Sequence, residues 1–243
     1  MRIVFLGTSH GAPEVGRKCS CIMVETGKNR YLIDIGIDPI PDLKNRNIPV
    51  ESVKKVFVTH MHGDHTNGLI PFLDICSWKF TAAHPKIFVP CDTEKIASVI
   101  SEWIKLTGTT MRKFEFNEVT DGFVYDDGIL KVTAFKTLHT KNSYSYLLEA
   151  EGKRVLFSGD LSTNGPKEDF PVSVLDKPLD LAICEAAHFK ATDYLPFFEN
   201  NDNLKQLCFN HYSDRFLESV MEATRLLNNI PVFKATDDLE ITL

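Results

Sequence analysis

The chain has 243 residues, of which 43% are hydrophobic and 25% are charged, the proportions of an ordinary globular protein. Its 27 basic and 33 acidic residues give a net charge of −6, which argues against a broad basic face for nucleic acid. No apolar run approaches the roughly 18 residues of a membrane span, and the first run breaks at Gly7, too early for a signal peptide. We expect a cytoplasmic protein with a single domain over residues 1–243.

Hydrophobic periodicity and turn residues predict the elements of the first half in order. A strand at residues 2–6 precedes a glycine-rich loop, and prolines mark an irregular crossing at 39–49. A hairpin is predicted at residues 19–25 and 30–35. A strand at 55–59 and a helix at 66–80 follow, and then a strand at 86–89 and a helix at 93–106. In the last helix, Val99 and Trp103 share a face with two isoleucines, so we expect them in the core, as we do Trp78.

The second half is rich in predicted strands. They lie at residues 112–119, 122–125, 129–138, 143–150, 154–158, 179–184, 204–209, 232–234 and 239–243, with one helix at 214–227. Strands outnumber helices along the chain, and the helices come singly between groups of strands. This order predicts an α/β protein in which two mixed sheets are flanked by helices.

The most informative segment follows the predicted strand at 55–59, where residues 59–65 read THMHGDH. His60 and His62 are two apart in an extended segment, so they point the same way and can chelate one ion. Asp64 and His65 follow in a turn tightened by Gly63 and can face a second ion. Imidazole and carboxylate ligands suit Zn²⁺, with Mn²⁺ or Fe²⁺ as alternatives.

Three more candidate ligands follow predicted strands elsewhere in the chain. His139 comes after strand 129–138, Asp160 after strand 154–158, and His211 after strand 204–209. Layered α/β proteins collect functional groups at the ends of their strands. We therefore expect these residues to join the histidine-rich segment.

Together these motifs resemble the metallo-β-lactamase superfamily, and within it the branch of ribonuclease Z and the phosphonate-pathway phosphodiesterases. The resemblance spans nearly the whole chain. It is carried by FLGTSHGAP at 5–13, LIDIG at 32–36, SGD at 158–160, CEA at 184–186 (with Cys184 where histidine is usual), HYS at 211–213 and ATDD at 235–238.

The resemblance implies a four-layer αβ/βα sandwich with two metal ions at one edge. The first ion would take His60, His62 and His139. The second ion would take Asp64, His65 and His211, and Asp160 would bridge the two. Asp34 would orient the ligand loop from behind rather than bind metal.

The chain also departs from ribonuclease Z. That enzyme has a long arm that grips transfer RNA, placed between residues corresponding to His139 and Asp160, where this chain has only twenty positions. Its H-S-T element, which supplies a proposed proton donor, is missing from residues 189–203. That donor is therefore missing or is replaced by a neighbour such as His188, and the departures argue against a role in transfer-RNA processing.

Further residues are predicted to act on the substrate. The predicted catalytic residues are Asp64, Asp160 and His188. The predicted substrate contacts are His10, His188, Tyr212 and Ser213. Tyr212 and Ser213 are candidates for holding a phosphate, although capping of the following helix is a simpler role for them.

The function that these features favour is a dinuclear metal-dependent hydrolase, a phosphodiesterase acting through a metal-bridging hydroxide on a small phosphodiester or nucleotide. One alternative is a hydrolase of a lactone, thioester or β-lactam, and another is a metal-binding module without turnover. A diiron protein of the same fold usually has glutamate at the position of His62, which argues against that class. We expect a small-molecule substrate, no extended nucleic acid and no membrane partner, and leave a homodimer open.

Overall fold

Two seven-stranded sheets form the centre of the structure, a computed structural model that describes residues 1–243. The first sheet contains, in spatial order, β14 (Glu240–Thr242), β1 (Arg2–Gly7), β2 (Cys21–Thr26), β3 (Asn29–Ile33), β4 (Val53–Phe57), β5 (Lys86–Val89) and β6 (Glu115–Glu118). The second contains β13 (Val232–Lys234), β12 (Leu207–Tyr212), β11 (Leu181–Ala186), β10 (Lys153–Phe157), β9 (Tyr144–Ala150), β8 (Lys131–Lys136) and β7 (Gly122–Asp126).

Each sheet is half antiparallel and half parallel. In the first, β14, β1, β2 and β3 are antiparallel neighbours, whereas β3 to β6 are parallel. In the second, β7 to β10 are antiparallel and β10 to β13 are parallel. Both sheets are therefore mixed, as predicted.

The helices cover the outer faces of the sheets. They are α1 (Ile40–Asn45), α2 (Gly63–Thr66), α3 (Leu69–Trp78), α4 (Thr93–Lys105), α5 (Leu195–Phe198) and α6 (Leu217–Leu226). Phe72 of α3 and Ile100 of α4 pack with Val56 of the first sheet, and helices α5 and α6 pack on the second sheet. A third cluster, which includes Phe57 and Tyr146, fills the space between the sheets. The layers thus run helix, sheet, sheet, helix, and the predicted fold class is confirmed.

None of these helices has both the length and the apolar composition that crossing a membrane would need.

Several predicted bounds differ from the observed ones, and the helix predicted at 66–80 is divided into α2 and α3. Two further differences concern the crossing at 39–49 and the strand at 204–209. The crossing at 39–49, predicted to be irregular, contains the short helix α1, which begins beside Pro41 because proline is tolerated in the first turn of a helix. The strand predicted at 204–209 instead spans Leu207–Tyr212, so His211 lies within β12 rather than after it.

The prediction that Trp78, Val99 and Trp103 belong to the core was also wrong. Their exposed fractions are 57%, 53% and 58%. In α4 the fully buried residues are Ile100 and Ile104, one turn apart. The apolar stripe of α4 is wider than the face that contacts the sheet, so Val99 and Trp103 at its edge are exposed to solvent.

Strand direction places the functional loops together. Strands β10, β11 and β12 run parallel, as do β3 and β4, so their carboxyl ends meet at one edge. Close packing there explains the glycine of the LIDIG motif, because a Cβ on Gly36 would lie 1.8 Å from the carbonyl oxygen of Asp64. Gly159 of the SGD motif has a φ of +57°, a conformation that favours glycine.

Candidate metal centre

The structure brings all seven predicted ligands together, and one group contains three histidines. Nε2 of His60 lies 3.0 Å from Nδ1 of His62, and Nε2 of His139 lies 3.2 Å from the same atom. The Nε2 atoms of His60 and His139 each lie 3.6 Å from Oδ2 of Asp160. These four atoms surround one point at the sheet edge.

The second group contains Asp64, His65 and His211. Nε2 of His65 lies 3.3 Å, and Nε2 of His211 3.6 Å, from Oδ2 of Asp64. Asp160 contacts this group too, with Oδ1 at 3.5 Å from His65 and Oδ2 at 3.3 Å from His211. Its carboxylate therefore lies between the two groups.

The donor atoms of both groups fit divalent cations. Their separations of 3.0 to 3.6 Å bracket the edge of about 3.3 Å expected for a tetrahedron with bonds of about 2 Å. Nε2 of His65 and Oδ1 of Asp160 are buried and have no hydrogen-bond partner. Buried polar atoms are otherwise almost always paired, so these two atoms point to an ion as their partner.

Behind the second group, Asp34 holds the ligand loop from the end of β3. Its Oδ2 accepts a hydrogen bond of 2.7 Å from Nδ1 of His65, and its Oδ1 accepts one of 2.7 Å from the backbone nitrogen of Thr59. Asp34 and His211 both have positive φ angles, 60° and 49°. Such backbone strain in residues other than glycine concentrates at functional sites.

The electrostatics favour the metal-binding forms of His60, Asp64 and Asp160. Burial, reinforced by the positive charge of His65, lowers the pKa of His60 to about 2 and leaves its imidazole neutral. Burial alone would raise the pKa of Asp64, but the hydrogen bond and charge of His65 outweigh it and lower that pKa to about 2. Burial is likewise outweighed at Asp160, where His211 and His65 hold the pKa well below its ordinary value. Neutral imidazole and ionised carboxylate are the ligating forms. At His65 burial alone would lower the pKa, but the carboxylates of Asp34 and Asp160 raise it well above its ordinary value, so His65 would lose a proton on binding an ion.

His188 lies beside the first group, and its partner is Glu185, a residue that the sequence analysis did not assign. Nε2 of His188 is 3.9 Å from Oδ2 of Asp160, and its Nδ1 is 2.9 Å from Oε2 of Glu185. Burial alone would lower the pKa of His188, but the hydrogen bond and charge of Glu185 raise it to about 9. The sequence could have indicated this pair, because Glu185 and His188 are three residues apart in the segment EAAH at 185–188.

The other predicted substrate contacts make no hydrogen bond to the ligand cluster. His10 is 3.0 Å from Oε1 of Glu14, in the loop whose Gly11 lies against the carboxylate of Asp64. The hydroxyl of Tyr212 donates to the carbonyl oxygen of Ala235 inside the core, so it is engaged structurally rather than offered to a substrate. Oγ of Ser213 is buried without a partner. No hydrogen bond joins the side chains of His10, Tyr212 and Ser213 to the cluster, and substrate contact by His10 and Ser213 stays a prediction.

A family model described as the anti-Pycsar protein Apyc1 matches residues 1–171. Ribonuclease BN of Cronobacter sakazakii is 31% identical over 157 residues, which cover 63% of this chain and 51% of that protein. The chain therefore spans about half the length of the ribonuclease that it matches.

Solved structures share the fold over almost the whole chain. The short form of human tRNase Z has a TM-score of 0.76 at 21% identity, covering 100% of this chain and 99% of that one. A diphosphatase of the PhnP family has a TM-score of 0.71 at 19% identity, covering 99% and 97%. These matches confirm the fold, and the family model together with the ribonuclease match confirms the resemblance inferred from the motifs.

Proposed function

The chain belongs to the family of the anti-Pycsar protein Apyc1, within the metallo-β-lactamase superfamily, and we propose that it is a metal-dependent hydrolase of small phosphodiesters such as cyclic or short nucleotides. One observation carries the proposal. Two groups of ligand atoms share the carboxylate of Asp160, and the imidazole of His188 lies 3.9 Å from the same carboxylate.

The proposed cofactor is two divalent ions, with zinc as the metal. Three imidazoles in the first group, and two imidazoles with a carboxylate in the second, are ligands that zinc prefers. Bound there, the ions would polarise a phosphoryl oxygen and lower the pKa of water to about 7. Asp160 would orient both groups because its Oδ2 contacts His139 of the first group and His211 of the second.

Two side chains can handle protons. The carboxylate of Asp64, whose pKa is about 2, is ionised at neutral pH and can accept a proton. His188 can donate one to the leaving oxygen through Nε2, because Glu185 holds the other ring nitrogen and keeps the imidazole protonated. We propose His188 as the general acid on this basis.

Charge explains how an acidic chain can bind an anionic substrate. Two divalent ions would bring four positive charges against the two negative charges of Asp64 and Asp160. The site would therefore attract a phosphodiester although the whole chain carries −6. A long nucleic acid would meet the acidic surface outside the site, so we propose a small substrate.

The short segment between His139 and Asp160 also supports a small substrate. Between His139 and Asp160, the position of the transfer-RNA arm in ribonuclease Z, the chain forms only the hairpin of β9 and β10. The name of ribonuclease BN denotes an enzyme that cleaves phosphodiester bonds, but this chain matches only about half of the length of that protein. We propose the cytoplasm as the compartment, since all six cysteines are free.

A metal analysis followed by a substrate panel tests the proposal. We would measure zinc and manganese per chain, and then assay an aryl phosphodiester, a cyclic nucleotide, a lactone and a cephalosporin in parallel. We expect about two ions per chain and turnover of the phosphodiesters, abolished in Asp160→Ala. Cleavage of the lactone or cephalosporin without phosphodiester turnover would favour the alternative hydrolase, and no turnover with both ions bound would favour the binding module.

A further inference from the structure

Asp169 connects two ligand loops without being a ligand. Its Oδ2 accepts a hydrogen bond of 2.7 Å from the backbone nitrogen of Leu138 and one of 2.9 Å from that of Ser162. Leu138 directly precedes His139, and Ser162 follows Asp160 by two residues. One carboxylate oxygen thus holds the loop of a first-group histidine and the loop of the shared aspartate.

Sheet topology explains why such a connection is needed. His139 follows β8 and Asp160 follows β10, but β9 lies between these strands in the sheet. The ends of β8 and β10 are therefore about 10 Å apart in the sheet plane and share no ladder of backbone hydrogen bonds. Their loops must be joined by side chains if the ligands are to keep a fixed separation.

A second side chain spans the same gap. Oγ1 of Thr137, which is fully buried, donates to the carbonyl oxygen of Asp160 at 2.9 Å. Oγ of Ser143 lies 2.7 Å from the same hydroxyl and accepts from the backbone nitrogen of Thr140 at 3.0 Å. Thr137 therefore links the loops from the core side, while Asp169 links them from the half-buried side.

We propose that Asp169 is a positioning residue that sets the separation between His139 and Asp160 and so the affinity for the ion of the first group. The proposal rests on the metal binding assigned under the proposed function. Groups that orient ligands commonly change metal affinity 10- to 100-fold. The second group shares Asp160 but loses less, because Asp64, His65 and His211 reach it from loops to which Asp169 makes no hydrogen bond.

The chain offers an informative pair of substitutions at this position. In Asp169→Asn the amide oxygen can still accept both backbone hydrogen bonds, and only the charge is lost. In Asp169→Ala both hydrogen bonds are lost. Asp121→Ala is a matched control, because Asp121 accepts a hydrogen bond of 2.7 Å from the backbone of Lys136 in the β7–β8 hairpin but joins no two ligand loops.

The experiment is a zinc titration in competition with a chelator, with metal content measured after dialysis. We expect Asp169→Ala to lose affinity for one of two ions by about 10- to 100-fold, and Asp169→Asn and Asp121→Ala to stay within about threefold of the wild type. Wild-type zinc binding by Asp169→Ala would overturn the proposal. Equal loss in Asp169→Asn and Asp169→Ala would also overturn it, since charge rather than the two hydrogen bonds would then matter.

Further measurements distinguish a loss of zinc affinity from a loss of stability and from a failure of the proposed function. Thermal unfolding of the metal-free variants is expected to show a larger loss for Asp169→Ala, which loses two hydrogen bonds, one of them partly buried, than for Asp121→Ala, which loses an exposed one. The zinc titrations are therefore run well below both unfolding midpoints, so that a loss of stability cannot explain a loss of zinc affinity. If Asp169→Ala does not fold, Asp169→Glu keeps the charge but moves the oxygen, and we expect the same selective loss. A wild-type protein that binds two ions but hydrolyses no phosphodiester would sink the proposed function alone, whereas one that binds no ion would sink both.

Discussion

Nδ1 of His65 and Oδ2 of Asp34 lie 2.7 Å apart, although the two residues are 31 positions apart in the chain. Because the carboxylate accepts a hydrogen bond from Nδ1, the nitrogen that faces Asp64 and Asp160 is Nε2. His65 is 1% exposed and Asp34 is 3% exposed, so water does not compete for this contact. The pair therefore determines which nitrogen of His65 can bind metal.

Replacing Asp34 with Asn should weaken the second group. Asn tolerates the positive φ of 60°, but its single acceptor oxygen cannot satisfy both the Thr59 nitrogen and His65. We expect zinc affinity for one ion to fall about 10- to 100-fold. The control is Asp38→Asn in the same loop, whose carboxylate accepts only from the Ile40 nitrogen. Equal zinc binding by the two variants would contradict the role of Asp34.

Replacing Asp160 with Ala should affect both groups at once, because its carboxylate contacts His60 of the first group and His65 of the second. We expect metal content to fall below one ion per chain and phosphodiester turnover to fall by roughly 10²- to 10³-fold or more. Metal analysis and kinetics on the same sample test this. Exposed Asp176→Ala serves as the control. Activity that survived in Asp160→Ala with both ions bound would show that Asp160 does not bridge them.

The Glu185–His188 pair predicts how stability depends on pH in the metal-free protein. The pKa of His188 rises from 6.5 to about 9 on folding, so its favourable contribution is fully present below pH 6.5 and is lost as the pH rises through 9. The stability gap between wild type and Glu185→Gln should therefore be largest below pH 6.5 and shrink towards pH 9. Urea unfolding across this range measures the gap.

The control for this prediction is the same substitution in a His188→Gln background. Without the imidazole, the Glu185→Gln change should cost the same at every pH between 6.5 and 9. A gap in the His188-containing proteins that does not vary with pH would show that the pair is not ionised as we infer.

Helix α4 allows a test of its register with two neighbouring residues. Ile100 is 1% exposed and Val99 is 53% exposed. We expect Ile100→Ala to lower the free energy of unfolding by about 2–5 kcal/mol. Val99→Ala should stay within about 0.5 kcal/mol of the wild type, since the site is half exposed and alanine favours helix. Urea unfolding of both variants measures the difference, and equal losses would place the helix in another register.

The sequence by itself determined the layered fold and the residues of the histidine-rich segment. Both follow from short-range patterns: strand and helix periodicity, and two histidines spaced so that an extended segment aims them the same way. The ends of strands also marked His139, Asp160 and His211 as candidates. For helix α4, periodicity indicated the apolar stripe but not which part of the stripe the sheet covers. Trp103 was therefore predicted in the core although it is exposed.

Only the tertiary structure decided how those residues are held. The contacts of Asp34 with His65, of Glu185 with His188, and of Asp169 with two ligand loops depend on loops that separate strands bring together. An aspartate that accepts two backbone hydrogen bonds looks like any other surface acid in the sequence. Local spacing specifies which groups can bind a metal, whereas strand order and loop approach decide their distances, partners and charge.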